Sequence, residues 1–242
     1  MSSQSQRIPL GAQLINKCLK TSSIDKRSFY RALILATTFF CYFSFHLARC
    51  PFSVVKSVLY RNNCSEFESP NGVNETSETW CNWAPFDDKN NGKTLLGLID
   101  TTFLTSYACS MFFLGFVAER CNLRYFLTIS MIVVGFLNCL LGITYYYNIH
   151  SLYYFMIVQA LNGVVNTCGW PAVVAVVGNW FGSAKSGTIF GIWNAHTSFG
   201  NIAGAAVAGA FVDHHWGLSF IVPGLIIVFV GIIMFIFLVS SK

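Results

Sequence analysis

Long apolar runs alternate with short polar connections along this chain. Six of the runs reach the roughly 20 residues that a helix needs to cross a bilayer. They fall at approximately 31–59, 95–117, 125–147, 152–178, 187–211 and 217–239. Two are irregular: the second carries Asp100, and the fourth is broken by Gly169–Trp170–Pro171. The pattern predicts an all-α membrane protein with six transmembrane helices over residues 31–239. A polar tail (1–30) precedes them, a long loop (60–94) follows the first, and 240–242 close the chain.

Composition agrees, with 54% hydrophobic and only 10% charged residues, against about 25% charged in soluble domains. The placement of the basic residues then assigns sides. Arg7, Lys17, Lys20, Lys26, Arg27 and Arg31 cluster around the tail, Arg120 and Arg124 follow the second run, Lys185 the fourth, and Lys242 ends the chain. On the opposite side only the 60–94 loop is basic, through Arg61, Lys89 and Lys93. Both termini are therefore expected in the cytosol. The tail lacks the apolar core of a signal peptide, so the first span is expected to remain uncleaved.

The 60–94 loop supports the same orientation independently. It carries two N-x-S/T sequons, at Asn63 and Asn74, together with Cys64 and Cys81. Sequons are glycosylated only on the lumenal side, where a Cys64–Cys81 disulfide is also chemically permitted. Closing a loop of about 15 residues would contribute on the order of 3 kcal/mol in the chain-entropy account. The other cysteines are scattered and read as packing residues. No CxxC, HExxH, Walker loop or GxSxG is present. No enzyme, cofactor, metal or nucleic-acid partner is expected.

Chemistry concentrates on the first span. Tyr42, His46, Arg49, Ser53 and Lys56 are separated by 4, 3, 4 and 3 positions, which places them on one stripe of a helix. Pro51 removes a backbone hydrogen bond beside the arginine and is expected to kink the helix. Two readings of Arg49 stand: an ion pair with Asp100 that holds helices together, or an anion site. A guanidinium fork matches phosphate oxygens bidentately. Lys56 either snorkels to the headgroups or adds charge to the site. His46 is either a neutral side chain bonded to a carbonyl or a source of proton-dependent charge.

On the fourth span Gln159, Asn162, Asn166 and Gly169 form a second polar stripe, read as interhelical glue or as part of the site. On the fifth, Gly187/Gly191, Gly200/Gly204 and Ala205/Gly209 are small-xxx-small pairs suited to close helix approach. Trp193, Asn194 and His196 add polar handles there.

These motifs resemble a known family. GFVAERCNLR (115–124) resembles the G-x-x-x-D/E-R-x-x-x-R loop of the major facilitator superfamily, with Gly115, Glu119, Arg120 and Arg124 at the matching positions. That resemblance implies a cytosolic charge latch. FHLARCPFSVVKS (45–57), NGVVNTCGWPAVVAVVGNWFG (162–182), GIWNAHTSFGNIAG (191–204) and WCNWAPFD (80–87) are similar to the organophosphate:phosphate antiporters, above all the sugar-phosphate exchangers of solute carrier family 37. The resemblance implies exchange of a sugar phosphate such as glucose 6-phosphate for inorganic phosphate, in the endoplasmic reticulum membrane. It assigns Arg49 as phosphate ligand, with Tyr42 and Tyr107 at substrate-orienting positions.

Three positions depart from the pattern. Cys50 stands where many relatives have a basic residue, and Met111 where bacterial relatives have a lysine. The fifth-span histidine aligns with Thr197, so His196 is one residue off. The resemblance also implies a protein of two six-span halves, of which this chain supplies the first. A second half-transporter or a full-length exchanger is thus an expected partner. The rival functions are a non-transporting modulator of a full-length exchanger, and a transporter of another small anion or a sugar.

Overall fold

The computed structural model describes residues 9, 11, 13, 25–60, 83–88, 91–181 and 186–239. Among these residues every regular element is an α-helix. That is the form in which a single segment satisfies its own backbone inside lipid. Helices α1 (Lys26–Arg49) and α2 (Pro51–Leu59) make one nearly continuous stretch, followed by α3 (Gly92–Arg120) and α4 (Leu123–Tyr146). Then come α5 (Leu152–Asn166), α6 (Gly169–Phe181), α7 (Ser186–Trp193) and α8 (Ala195–Phe237). Asp25 starts α1 by accepting from the Arg27 and Ser28 amides, and Asn122 starts α4 by accepting from that of Arg124.

Five helical stretches are long and apolar enough to cross a membrane, and the last of them doubles back. Helix α8 has 43 residues, which laid straight would span ~65 Å, about twice the hydrocarbon core. Its backbone leaves the helical region at His215 (φ −144°, ψ 72°). The Ser219 hydroxyl donates to the Ala208 carbonyl at 2.7 Å, although eleven residues of straight helix would hold them ~16 Å apart. The expected fifth and sixth runs are thus two arms of one bent element, so five helical stretches match the six expected runs only roughly. One adjustment concerns the irregular fourth span. The fourth is interrupted at Thr167–Cys168 rather than at the glycine, and Pro171 sits in the first turn of α6, where its missing N–H is harmless. The first is interrupted at Cys50, beside Pro51 as expected.

Helix α1 packs along the first arm of α8, α4 along the second arm, and α3 along α5. At one end Tyr30 stacks on Trp180, whose indole N–H donates to the Val239 carbonyl at 2.8 Å. The start of α1 and the end of α8 therefore share a face of the bundle. At the other end Trp83 and Phe86 pack with Phe52, Phe155, Trp216 and Phe220.

Glycines set the helix spacings. A Cβ at Gly135 or Gly142 of α4 would come within 2.5–2.6 Å of the Gly224 or Gly217 carbonyl of α8, and the reverse contacts are as close (2.7–2.9 Å). On the first arm, a Cβ at Gly200 or Gly204 would lie 2.6–2.7 Å from the Phe43 or Leu47 carbonyl of α1. The fifth-span small residues thus divide. Gly200 and Gly204 are packing positions, whereas Gly187, Gly191 and Gly209 face open space.

Gly200→Val and Gly217→Val should each lower the thermal stability of the detergent-solubilised chain, by about 1–3 kcal/mol for overpacking. Gly178→Ala and Gly209→Ala, where a Cβ meets nothing within 4 Å, should leave it unchanged or raised. Equal melting temperatures across the set would contradict the seam.

Candidate functional site

The polar residues of the first span lie between two apolar clusters. One gathers Ile34, Cys41, Tyr42, Phe45 and Ala48 with Trp180, Trp193 and Met234. The other gathers Phe52, Val55 and Leu59 with Ile99, Phe155 and Phe220. Arg49 is the last residue of α1, and the interruption at Cys50 falls between the two clusters.

The predicted stripe on the first span turns to two different neighbours. Tyr42 and His46 meet α6, α7 and α8. The Tyr42 ring lies 5.1 Å from His46, 4.8 Å from His196, 5.4 Å from Trp170 and 6.3 Å from Trp193. His46 and His196 stack at 6.0 Å. Trp193 is held by donating its indole N–H to the Thr38 hydroxyl at 3.2 Å. His196 is fully buried, with Nδ1 3.2 Å from the Thr197 hydroxyl, and Nε2 has no partner among the described residues. The one-residue offset therefore does not remove His196 from the cluster, because it packs on Tyr42 and Trp193.

Arg49 faces α3 instead. Its guanidinium carbon lies 5.2 Å from the Phe103 ring centre and 5.5 Å from that of Tyr107, and the two rings stack at 6.3 Å. Two features of α5 place them there. Gly163 admits the α3 backbone, since a Cβ would come within 2.5 Å of the Phe103 carbonyl. The Thr167 hydroxyl, just past the end of α5, donates to the Tyr107 carbonyl at 3.0 Å.

The ion-pair reading of Arg49 is overturned. Asp100 pairs with Lys56 (Nζ–Oδ2 2.8 Å), and this is the one salt bridge among the described residues. Lys56 accordingly neither snorkels alone nor stands as a free second cation at the site. Ser53 donates to the Cys50 carbonyl of its own helix. Cys50 turns to α8, with Sγ 3.4 Å from the Asn201 side-chain oxygen. That same oxygen lies 3.3 Å from His46 Nδ1.

Asn201 is thus a site residue that the sequence reading overlooked. Its signal was available: it lies five residues after His196, at the end of the GIWNAHTSFGNIAG stretch. Asn166 is buried and donates its amide to the Asn162 carbonyl and side-chain oxygen, a use that fits helix packing. Met111 is exposed on α3.

The four motif positions flank the α3–α4 corner with no ion pair among them. Glu119 and Arg120 are exposed at the end of α3. Arg124 lies over the rings of Tyr125 (5.0 Å) and Phe235 (5.5 Å), so it clamps α4 to the second arm of α8. A Cβ on Gly115 would meet nothing within 4 Å. Asn63, Asn74, Cys64 and Cys81 lie outside the described residues.

Comparison with known proteins matches residues 38–242 to the Major Facilitator Superfamily. Curated relatives include the glucose-6-phosphate exchanger SLC37A2 of Danio rerio, 53% identical over 90% of this chain and 44% of the relative. The Homo sapiens SLC37A2 is 50% identical over 90% of this chain and 44% of its own length. The Homo sapiens SLC37A1 exchanger is 43% identical over 97% and 45%. The chain thus spans less than half the length of these relatives. No solved structure matches it.

Proposed function

Because the chain belongs to the Major Facilitator Superfamily, we propose that it forms one wall of a transporter that exchanges a sugar phosphate for inorganic phosphate, with Arg49 as the phosphate ligand. One observation carries the reading. Arg49 has no carboxylate within ion-pairing distance among the described residues, and it rests on two aromatic faces. Aromatic faces attract a cation without neutralising it. The planar donors of the guanidinium remain suited to phosphate oxygens. The exchanger names of the relatives supply the sugar phosphate, glucose 6-phosphate.

In this reading Tyr107 and His46 line the sugar side of the site, Tyr42 and His196 pack behind His46, and Asn201 orients it. The protein is a carrier rather than an enzyme and needs no cofactor. Glu119, Arg120 and Arg124 face the cytosol with both termini, and Asn63 and Asn74 face the lumen of the endoplasmic reticulum. A second half-transporter or a full-length exchanger would provide the facing wall.

The test is reconstitution into liposomes loaded with phosphate, alone and with a full-length relative, following uptake of radiolabelled glucose 6-phosphate. Arg49→Ala should lower exchange about 10- to 100-fold, the loss expected for hydrogen bonds to a charged group. Arg49→Lys should fall between, because it keeps the charge but loses the fork. Unchanged uptake by Arg49→Ala would remove Arg49 as the ligand. For orientation, glycosidase treatment of the cell-expressed chain should shift its mass, and Asn63→Gln with Asn74→Gln should abolish the shift. A chain insensitive to glycosidase would contradict the lumenal placement.

A further inference from the structure

We propose that Lys56 is a positioning residue: by holding Asp100, it keeps that carboxylate off Arg49 and leaves the guanidinium open to an anionic ligand. The inference rests on the reading of Arg49 as the phosphate ligand and adds to it what sets the site's specificity.

The first span and α3 lie side by side around Arg49. Lys56 of α2 reaches Asp100 of α3 at 2.8 Å, and Arg49 of α1 lies over Phe103 and Tyr107 of the same helix. Asp100 precedes Phe103 by three positions, so its carboxylate stands one turn away on the same helical face. One helical turn is ~5.4 Å, a step within the reach of a long, jointed arginine side chain.

Asp100 is therefore the carboxylate placed to neutralise Arg49. A carboxylate attached to the same chain acts at an effective concentration on the order of millimolar, which competes with a dissolved phosphate. Lys56 removes the competitor. The pair is two-thirds or less buried, with side-chain exposures of 43% and 33%, so its effect on overall stability is small. Its consequence is for which charge remains unpaired.

The experiment uses the purified full chain in nanodiscs, as wild type, Lys56→Gln, Asp100→Asn, Lys56→Gln/Asp100→Asn and Lys56→Arg. The first readout needs no ligand: the rate at which phenylglyoxal modifies Arg49, followed by mass spectrometry of its peptide. Lys56→Gln should slow modification about tenfold, the scale of a charge-assisted hydrogen bond, as Asp100 closes on the guanidinium. The double substitution should restore the rate to within about twofold of wild type, and Lys56→Arg should retain it. The second readout is protection of Arg49 by inorganic phosphate, which should weaken in Lys56→Gln and return in the double variant.

A wild-type rate in Lys56→Gln overturns the proposal. So does a double variant as slow as Lys56→Gln, since both lack the same lysine and misfolding would affect them alike. Weak phosphate protection that persists in the double variant also overturns it, because Lys56 would then be a ligand itself. If the modification rates follow the expected pattern while phosphate protects Arg49 in no variant, the positioning role stands and the phosphate reading fails.

Discussion

An arginine midway along an apolar span, exposed on the open wall of the bundle, is the constraint around which this chain is arranged. On insertion scales such a charge costs roughly 2.5–3.5 kcal/mol near the bilayer centre. A carboxylate partner would offset that cost and also abolish the charge. The structure instead gives Arg49 the faces of Phe103 and Tyr107, each worth about 0.5–2 kcal/mol depending on desolvation. Support of that kind is comparable to the cost and leaves the donors at the edge of the guanidinium unengaged. The carboxylate that would otherwise claim them is bonded to Lys56.

Holding an arginine over two rings of another helix requires those helices to be close, and in lipid no hydrophobic force brings them together. Small residues do it here. Gly163 lets α5 touch the α3 backbone at Phe103, which carries the rings beneath the guanidinium. Gly200 and Gly204 press the first arm of α8 onto α1, which brings His196 and Asn201 to Tyr42 and His46. Interruptions at Cys50, Thr167–Cys168 and Asn194 fall on the same three spans. Departures from regular helix beside a polar cluster are what transporter sites require.

Much of this was legible beforehand, and the failures share a cause. Span positions follow from apolar length alone, so the six runs were found within a few residues of their helices. The stripe 42–46–49–53–56 follows from helical period, and it runs across the nearly continuous pair α1 and α2. Which neighbour each side chain meets is a statement about two helices, and period carries no such information. Lys56 was separated from Arg49 in that way: one found Asp100 and the other found aromatic rings. The seam between α4 and α8 did leave a trace, as Gly135/Gly142 and Gly217/Gly224/Gly231 recur at sevenfold spacing. Four-residue small-xxx-small spacings do not capture it, whereas a heptad is what keeps a seam facing one partner along two packed helices. The turn at His215 was legible only as a short gap between apolar runs. The hairpin itself shows in the Ser219–Ala208 hydrogen bond.

Charge carries the argument one step further. A phosphate monoester bears about −1.5 to −2 charges near neutral pH. Among the described residues the ionised groups brought together around Arg49 are Arg49, Lys56 and Asp100, and the last two cancel through their ion pair. In the proposed function, one positive charge therefore faces the phosphate from this wall. A dianion bound here keeps close to half of its charge uncompensated by the chain's permanent cations. In a medium of low dielectric that residue of charge is costly, so tight binding needs a second cation from beyond this wall. If the chain is one wall of a carrier, as proposed, dividing the charge in this way serves exchange, because an anion fully neutralised by one wall would have no cause to leave it when the opposite wall moved.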